Sequence, residues 1–164
     1  MTEQENDFLR LAVVEQITYS EISKILKIDK TKISNLWDKL KQEREQLSAI
    51  RKIWKSKFTN TDAYESFWGF RDWYINSKRE CHYCKITENE LHLLWEKTSD
   101  LTKRKRGRKL EIERLMPNED YDNIKNLVYS CYWCNNAKTD TFSESEFKSI
   151  GEEISKIWKN RLKK

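Results

Sequence analysis

The chain has 164 residues with 32 Lys or Arg, 27 Asp or Glu and a formal net charge of +5. Its 7 Trp, 7 Tyr and 6 Phe exclude a disordered chain, and its 3 Gly and single Pro argue against an all-β sandwich and for helices. No apolar run approaches the roughly 18 residues of a membrane span and no signal peptide is recognisable, so the sequence predicts a soluble, cytoplasmic protein without membrane association.

Residues 18–40 predict two helices joined by a short break. Thr18 and Glu21 have the spacing of a capping box, and a second helix begins near residue 30. This pattern resembles the helix-turn-helix of transcription regulators, whose second helix enters the major groove of DNA. The resemblance implies DNA contacts from exposed polar positions of that helix: Lys30, Thr31, Lys32, Ser34 and Asn35. A helical hairpin without DNA contact fits the same pattern.

A long connector helix is predicted next. Apolar residues between Ile33 and Trp54 recur at spacings of three and four, with Glu43 the one interruption, which predicts one continuous helix over residues 30–58. Its apolar seam serves either dimerisation or spacing, or it packs on the chain's own second half. The following stretch, 62–77, carries Phe67, Phe70, Trp73 and Tyr74 at helical spacing, which predicts a core helix.

The cysteines form two CxxC pairs, and no cysteine is left over. They are Cys81, Cys84, Cys131 and Cys134. Two such pairs in a cytoplasmic chain are typical of a tetrahedral Zn²⁺ site, whereas disulfides are disfavoured in that compartment. A thioredoxin-like redox role would need one pair in a βαβ unit. The sequence therefore predicts one closed, structural zinc site.

Between and after the cysteine pairs the sequence predicts a short series of elements. A helix over 88–97 is capped by Thr87 and Glu90, strands cover 110–115 and 127–130, and a helix covers 131–139. A last helix, capped by Ser143 and Glu146, is predicted to bury five residues. These are Phe147, Ile150, Ile154, Ile157 and Trp158.

The order strand, loop, strand and helix, with cysteine pairs at its ends, resembles the ββα-metal core of HNH nucleases. The fold class implied is mainly α with a small ββα-metal core and a Cys₄ zinc site. By this resemblance Glu113 and Asn135 bind a catalytic Mg²⁺ or Mn²⁺, and Asn126 braces the intervening loop. Arg114 stands where the family usually places its general-base histidine. Since a guanidinium stays protonated at neutral pH, it would clamp the scissile phosphate instead.

Several stretches resemble the rare-cutting HNH restriction endonucleases of the PacI type. They include CHYC, LEIER and NLVYSCYWCNNAKTD. This resemblance implies cleavage of double-stranded DNA, usually by a homodimer, and a tyrosine near the scissile phosphate. It assigns Tyr83 as the group that assists attack. The alternative is that the Tyr83 ring packs over the zinc knuckle.

The charge distribution favours a nucleic-acid partner. Residues 1–50 hold 8 Lys or Arg and 9 Asp or Glu, whereas residues 51–164 hold 24 and 18. A basic run beside the first predicted strand is interpreted as a DNA-gripping loop, the alternative being a solvated insertion, and Lys138 is expected to touch a phosphate. The run consists of Lys103, Arg104, Lys105, Arg106, Arg108 and Lys109.

The predicted organisation has two parts. Residues 1–57 form the helix-turn-helix with its connector, and residues 58–164 form the zinc-stapled HNH domain. The predicted function is a metal-dependent, restriction-like endonuclease acting on double-stranded DNA. The alternatives are a DNA-binding regulator whose HNH core has lost catalysis and a zinc-stabilised interaction module without DNA affinity.

Overall fold

The computed structural model describes residues 1–58, 64–98 and 101–163. The chain divides into two compact units, Met1–Ile75 and Asn76–Lys164. This division falls later than the boundary predicted between residues 57 and 58, and the two predicted domains stay predictions. Among the described helices, none has the length and apolar character needed to cross a membrane.

The first unit begins with three helical segments around a small core. Helix α1 (Glu3–Leu9) continues as a π-helical segment (Arg10–Glu15), followed by α2 (Tyr19–Leu26) and α3 (Lys30–Lys39). The capping box predicted at Thr18 and Glu21 is present at the start of α2. Lys27 ends α2 in the left-handed conformation, and the Asp29 side chain caps α3 by accepting from the Lys32 amide at 2.7 Å. The two helices and their short break thus form where the sequence predicts them.

The connector is not one continuous helix, contrary to the prediction for residues 30–58. Helix α3 ends at Lys39, and α4 (Lys41–Lys57) begins after a bend at Leu40. The Leu40 side chain is buried at this bend, and the Arg44 Nε donates to the Trp37 carbonyl at 2.8 Å. The guanidinium also lies 3.5 Å from the centre of the Trp37 ring. Arg44 therefore binds the end of α3 across the bend.

The apolar seam of α4 packs inside the first unit. Arg51 Nε donates to the Val14 carbonyl at 2.7 Å, which ties α4 to the π-helical segment. Trp54 packs edge-on against Phe67 of α5 (Tyr64–Asn76), with ring centres 5.5 Å apart. Helix α4 therefore contacts residues on both sides of it in the sequence, and the uses predicted for its apolar seam stay predictions. Phe67 and Phe70 are fully buried, which confirms the predicted core role of both residues.

In its described residues the second unit contains a β-hairpin, a short 3₁₀ helix (Ile124–Asn126) and three α-helices. Helix α6 (Glu88–Lys97) begins at its predicted cap, Thr87. Strands β1 (Glu111–Arg114) and β2 (Leu127–Ser130) pair antiparallel, with Glu111 opposite Ser130 and Arg114 opposite Leu127. Helix α7 (Tyr132–Lys138) follows directly, and α8 (Glu144–Lys163) ends the described chain. The predicted fold class, mainly helical with a small ββα core and a four-cysteine cluster, is confirmed.

Helix α8 buries a different face from the predicted one. Phe147 and Trp158 are buried as expected, but Ile150 and Ile157 are 38% and 50% exposed. The inward position between them is taken by Gly151, where an added Cβ would lie 2.9 Å from the Tyr83 Cβ. At Gly151 the backbone of α8 therefore approaches the first cysteine knuckle too closely for a side chain to fit, and both isoleucines are exposed.

Candidate active site

The four cysteines meet in one buried cluster. Cys81, Cys84, Cys131 and Cys134 are all buried, and their Sγ atoms lie within 4.8 Å of one another. The Cys84 and Cys131 Sγ atoms are 3.7 Å apart. Zinc–sulfur bonds of about 2.3 Å place two ligands of a tetrahedron roughly 3.8 Å apart, so this spacing fits a zinc tetrahedron. The cluster could hold a metal ion, and the donor set suits Zn²⁺.

Both knuckles are shaped by backbone hydrogen bonds. In the first, Lys85 adopts a left-handed conformation with φ 62°, and its amide donates to the Cys81 carbonyl at 2.9 Å. In the second, Cys131 is the N-cap of α7, and its sulfur accepts from the Cys134 amide at 3.5 Å. Zinc at this position would therefore fix the N-cap of α7 next to the hairpin.

The thiol pKa values show why this cluster favours a cation. Hydrogen bonds from the neighbouring thiols, Cys131 first, lower the pKa of Cys81. The hydrogen bond with Cys131 is the largest cause that raises the pKa of Cys134. Ionisation of Cys81 is thus favoured, whereas ionisation of Cys134 is disfavoured. A divalent cation bound between the sulfur atoms would stabilise all of them as thiolates.

The junction between β1 and α7 brings together two acidic and two polar side chains. Successive strand residues face opposite sides, so Glu111 and Glu113 share one face of β1. Asn135 Nδ2 donates to Glu111 Oε2 at 2.6 Å, and Lys138 Nζ lies 3.7 Å from Glu113 Oε1. The partner of Asn135 is therefore Glu111, which the sequence analysis did not select. The two-residue period of the strand was the signal that could have found it.

Glu113 is held in a buried ion pair with Lys138. Glu113 is 8% exposed and Lys138 is fully buried, with Nζ also donating to the Arg114 carbonyl at 3.3 Å. Burial raises the pKa of Glu113, and the charge of Lys138 counteracts part of that rise. Since Lys138 has no surface exposed, the expectation that it touches a DNA phosphate is wrong for this structure.

Arg114 is positioned by the loop that follows β1. Its Nη1 donates to the Glu119 carbonyl at 3.2 Å, its Nη2 lies 3.5 Å from Asp140 Oδ1, and its guanidinium sits 4.8 Å from the centre of the Tyr121 ring. Its Nε is buried and has no hydrogen-bond partner in the described parts of the chain. The guanidinium is held between neutral and acidic groups at the end of the strand.

Asn126 closes the loop between the two strands. Its side-chain oxygen accepts from the Met116 amide at 2.7 Å, and its Nδ2 donates to the Met116 carbonyl at 3.0 Å. The Asn126 carbonyl also accepts from the Leu115 amide at 2.9 Å. These are the bonds expected of a loop brace, since they fix the backbone immediately after Arg114.

Tyr83 is buried between the first knuckle and α8. Its ring packs edge-on against Phe147, with centres 5.1 Å apart, as expected if the ring packs over the knuckle. Its hydroxyl is buried and finds no hydrogen-bond partner among residues 1–58, 64–98 and 101–163. Burial, followed by the nearby Glu113 and Glu144 carboxylates, raises the pKa of Tyr83, so the phenol is protonated at neutral pH. The predicted catalytic role stays a prediction.

The basic run forms an exposed loop whose base is fixed by aromatic rings. Trp95 Nε1 donates to the Gly107 carbonyl at 3.1 Å, and Arg108 lies 4.3 Å from the centre of the Trp95 ring. Gly107 has φ +88° and would contact Trp133 at 2.9 Å if it carried a Cβ. The six basic residues, Lys103, Arg104, Lys105, Arg106, Arg108 and Lys109, are all exposed.

Arg106 links this loop to the junction of β1 and α7. It lines an open groove of about 400 Å³ together with Glu111, Tyr132, Asn135, Asn136 and Thr139. We call this cavity the β1–α7 groove. Its lining holds one guanidinium, one carboxylate and two amides. A phosphate and a hydrated cation could therefore be bound side by side in it.

In the first unit the predicted DNA-contacting positions of α3 share one exposed face. Ile33 and Leu36 are buried, whereas the polar residues before and between them are exposed. The exposed residues are Lys30, Thr31, Lys32, Ser34 and Asn35. Their contact with DNA stays a prediction.

Comparison with known proteins gives one match. No family model and no curated protein matches the chain. A solved structure that does match is that of the rare-cutting HNH restriction endonuclease PacI, described for its mechanism of DNA perturbation, with 32% identity and a TM-score of 0.48. The match covers 58% of this chain and 65% of that chain, just under two thirds of its length. The predicted resemblance to HNH restriction endonucleases of this type is confirmed.

Proposed function

We propose that this chain, a relative of the HNH restriction endonucleases, is a metal-dependent endonuclease that hydrolyses phosphodiester bonds in double-stranded DNA at specific sites. The observation that carries the proposal is the β1–α7 groove, where Asn135 meets a β1 carboxylate within reach of Arg106. A carboxylate and an amide leave most positions of Mg²⁺ or Mn²⁺ to water and phosphate oxygens. The adjacent guanidinium of Arg106 supplies a second group that binds the phosphate, in addition to the metal ion.

The remaining residues act through position and charge. Arg114 clamps the scissile phosphate and stabilises charge on phosphorus, while Asn126 holds the loop that follows Arg114. The bound metal would activate the attacking water. Tyr83 assists the attack as a hydrogen-bond donor, since its phenol is protonated and its hydroxyl has no other partner among the described residues, and this role requires DNA binding to expose the buried hydroxyl. The four cysteines bind a structural Zn²⁺ that fixes α7 against the hairpin.

The DNA is bound through several exposed basic surfaces. In the second unit the loop of residues 103–109 grips the backbone beside the groove, and in the first unit α3 contacts bases or phosphates. Cleavage of both strands is carried out by a homodimer, as the resemblance to restriction endonucleases implies. Site specificity differs from that of the PacI type, since the residues before the nuclease core follow a helix-turn-helix pattern.

The proposal is tested by digestion of a panel of genomic, plasmid and phage DNAs with Mg²⁺ or Mn²⁺. Discrete fragments from the wild type, and none from an Asn135→Ala variant with the same zinc content, are the expected result. A Glu113→Ala variant, which loses the carboxylate implied by the resemblance, is run in parallel. A varied panel matters because a rare-cutting enzyme is inert on DNA that lacks its site.

A DNA-binding regulator without catalysis is the second candidate. It is favoured by Arg114, which stands where a general base is usual, and by the raised pKa of Tyr83. Retarded migration of specific DNA fragments, without cleavage in either metal across the whole panel, would select the regulator over the nuclease.

A further inference from the structure

The two carboxylates on one face of β1 have different surroundings. From these surroundings we infer that Glu111, together with Asn135, binds the catalytic divalent cation, while Glu113 is a positioning residue paired with Lys138. The inference rests on the proposed function only in taking the bound cation to be the catalytic one. It changes the metal ligand that the family resemblance implies.

Glu111 has the surroundings of a metal ligand. Its Oε2 lies 2.6 Å from the Asn135 amide, and both residues line the β1–α7 groove. The groove is open and holds about 400 Å³, which leaves room for the several water molecules that Mg²⁺ retains. Both side chains are partly exposed, so a hydrated ion can reach them without unfolding of the hairpin. Binding requires only that the Asn135 amide turn its oxygen toward Glu111.

Glu113 has the surroundings of a structural ion pair. A cation bound to it would lie next to the Lys138 ammonium, which is only 3.7 Å from Glu113 Oε1. Two positive charges at such a distance repel each other strongly, and more so in a buried site than in water. Lys138 is fully buried and bonded to the Arg114 carbonyl, so it is not free to turn away. The negative charge of Glu113 thus compensates the positive charge of the buried Lys138 ammonium.

This ion pair gives Glu113 a positioning role. Lys138 ends α7 and binds both the Glu113 carboxylate and the adjacent Arg114 carbonyl. The pair therefore stabilises the packing of the end of β1 against α7. Loss of Glu113 should disturb folding stability more than the affinity for a metal.

The experiment measures Mn²⁺ binding to the full-length, zinc-loaded protein without DNA, by the loss of the free-ion electron paramagnetic resonance signal. The variants are Glu111→Gln, Glu113→Gln and the matched control Glu96→Gln on the exposed face of α6. We expect Glu111→Gln to weaken Mn²⁺ binding by about tenfold or more, as for loss of groups that support a metal site. Glu113→Gln and Glu96→Gln should stay within about threefold of the wild type.

A further variant keeps the test decisive if Glu113→Gln does not fold. The double variant Glu113→Gln/Lys138→Met removes both charges of the buried pair, so neither is left uncompensated. If it binds Mn²⁺ like the wild type, the inference is supported. If Glu113 replacement in this background weakens Mn²⁺ binding tenfold while Glu111→Gln does not, the inference is overturned.

The outcomes for binding and cutting separate this inference from the proposed function. A protein that binds Mn²⁺ through Glu111, and that binds specific DNA fragments of the panel without cutting them, supports the cation site and refutes the nuclease. A protein that cuts DNA, and whose Glu111→Gln variant binds Mn²⁺ and cuts like the wild type, remains a nuclease but refutes the role of Glu111. Absence of Mn²⁺ binding below millimolar concentration in the wild type also overturns the inference.

Discussion

Lys138 shows how one buried charge can organise the ββα core. A lysine with no exposed surface is rare in proteins unless a partner offsets the cost of removing its charge from water. Here the partners are the Glu113 carboxylate and the Arg114 carbonyl. The sequence predicted a phosphate contact because Lys138 follows Asn135 by one helical turn. Periodicity gave the correct face of α7 but not the depth of that face in the core.

Replacement of Lys138 by Met should therefore destabilise the protein strongly. It leaves Glu113 buried without a partner, which typically costs about 3–5 kcal/mol in the free energy of unfolding at pH 8. An exposed control, Lys125→Met, should change that free energy by less than about 0.5 kcal/mol. Urea denaturation measures both values, and a Lys138→Met variant as stable as wild type at pH 8 would contradict the ion pair.

The pH dependence of the same variant has a definite sign. Burial already raises the pKa of Glu113 above its unfolded value, and loss of Lys138 should raise it further. A group whose pKa is raised by folding stabilises the protein below its unfolded pKa, and that contribution is lost as pH rises through the folded pKa. The loss in the free energy of unfolding caused by Lys138→Met should therefore be smaller at pH 5 than at pH 8 in the same urea experiments. A loss of unfolding free energy that increases as the pH falls would contradict the raised pKa of Glu113.

Tyr83 offers a test in which stability and activity should separate. Its hydroxyl is buried without a partner among the described residues, and such a group costs about 1–3 kcal/mol. Tyr83→Phe should therefore be at least as stable as the wild type in thermal unfolding. If the phenol donates to the scissile phosphate, cleavage should fall by about a hundredfold. Undiminished cleavage would leave the ring with a packing role only.

At the scale of whole elements, the sequence predicted what local chemistry determines. The starts of α2 and α6 follow from their capping boxes at Thr18 and Thr87, since two reciprocal hydrogen bonds define a helix start. Strand β2 has its predicted bounds because turn and cysteine residues enclose it. The bend at Leu40 was not predictable from periodicity. The apolar spacing resumes after its one interruption at Glu43, so it does not mark the bend, which Arg44 spans by contacting Trp37.

The same distinction applies to the candidate site. The four clustered cysteines and Asn126, whose side chain bonds the Met116 backbone, lie in contiguous motifs, so their spacing in the sequence was sufficient to select them. Asn135 was expected to lie beside Glu113, whereas it contacts Glu111. Which of the two carboxylates it contacts depends on the position of α7 along β1. That position is set by packing between elements, and no local pattern reports it.

The basic loop is an element whose position depends on one glycine. Gly107 has φ +88°, and a Cβ there would meet the Trp133 ring at 2.9 Å. Gly107→Ala should cost about 1–3 kcal/mol, and it should reduce cleavage because neighbouring Arg106 lines the β1–α7 groove. Differential scanning calorimetry and a cleavage assay check both effects. The control Gly69→Ala, in the exposed face of helix α5, should not lower stability.

At the scale of the whole molecule, two compact units imply two separable responses to loss of the metal. All four cysteines lie in the second unit, and the first unit has its own core around Phe8, Ile22 and Trp54. We expect about one zinc ion per chain. Cys134→Ser should lose the zinc and unfold the second unit, while helical circular dichroism from the first unit remains. Loss of all helical signal, or retention of zinc, would contradict this division.

The division into units also predicts that DNA affinity and DNA chemistry can be altered separately. Lys30 and Lys32 are exposed on α3 in the first unit, whereas the β1–α7 groove belongs to the second. If both lysines contact phosphates, the plot of log affinity against log salt concentration should be less steep for Lys30→Ala/Lys32→Ala than for the wild type, by about 1.8. Its single-turnover cleavage rate at saturating DNA should stay within about twofold of the wild type, because the residues of the groove are unchanged.

The matched control removes the same charge from another face of the first unit. Lys52 and Lys55 are exposed on α4, so Lys52→Ala/Lys55→Ala keeps net charge equal between the two variants. A fluorescence anisotropy titration at several salt concentrations gives both slopes. Equal slopes for the two variants would show that α3 adds only general positive charge, because long-range attraction depends on the total charge. A smaller slope for the α3 variant alone identifies phosphate contacts on the predicted recognition helix, because only direct contacts release condensed counterions from DNA.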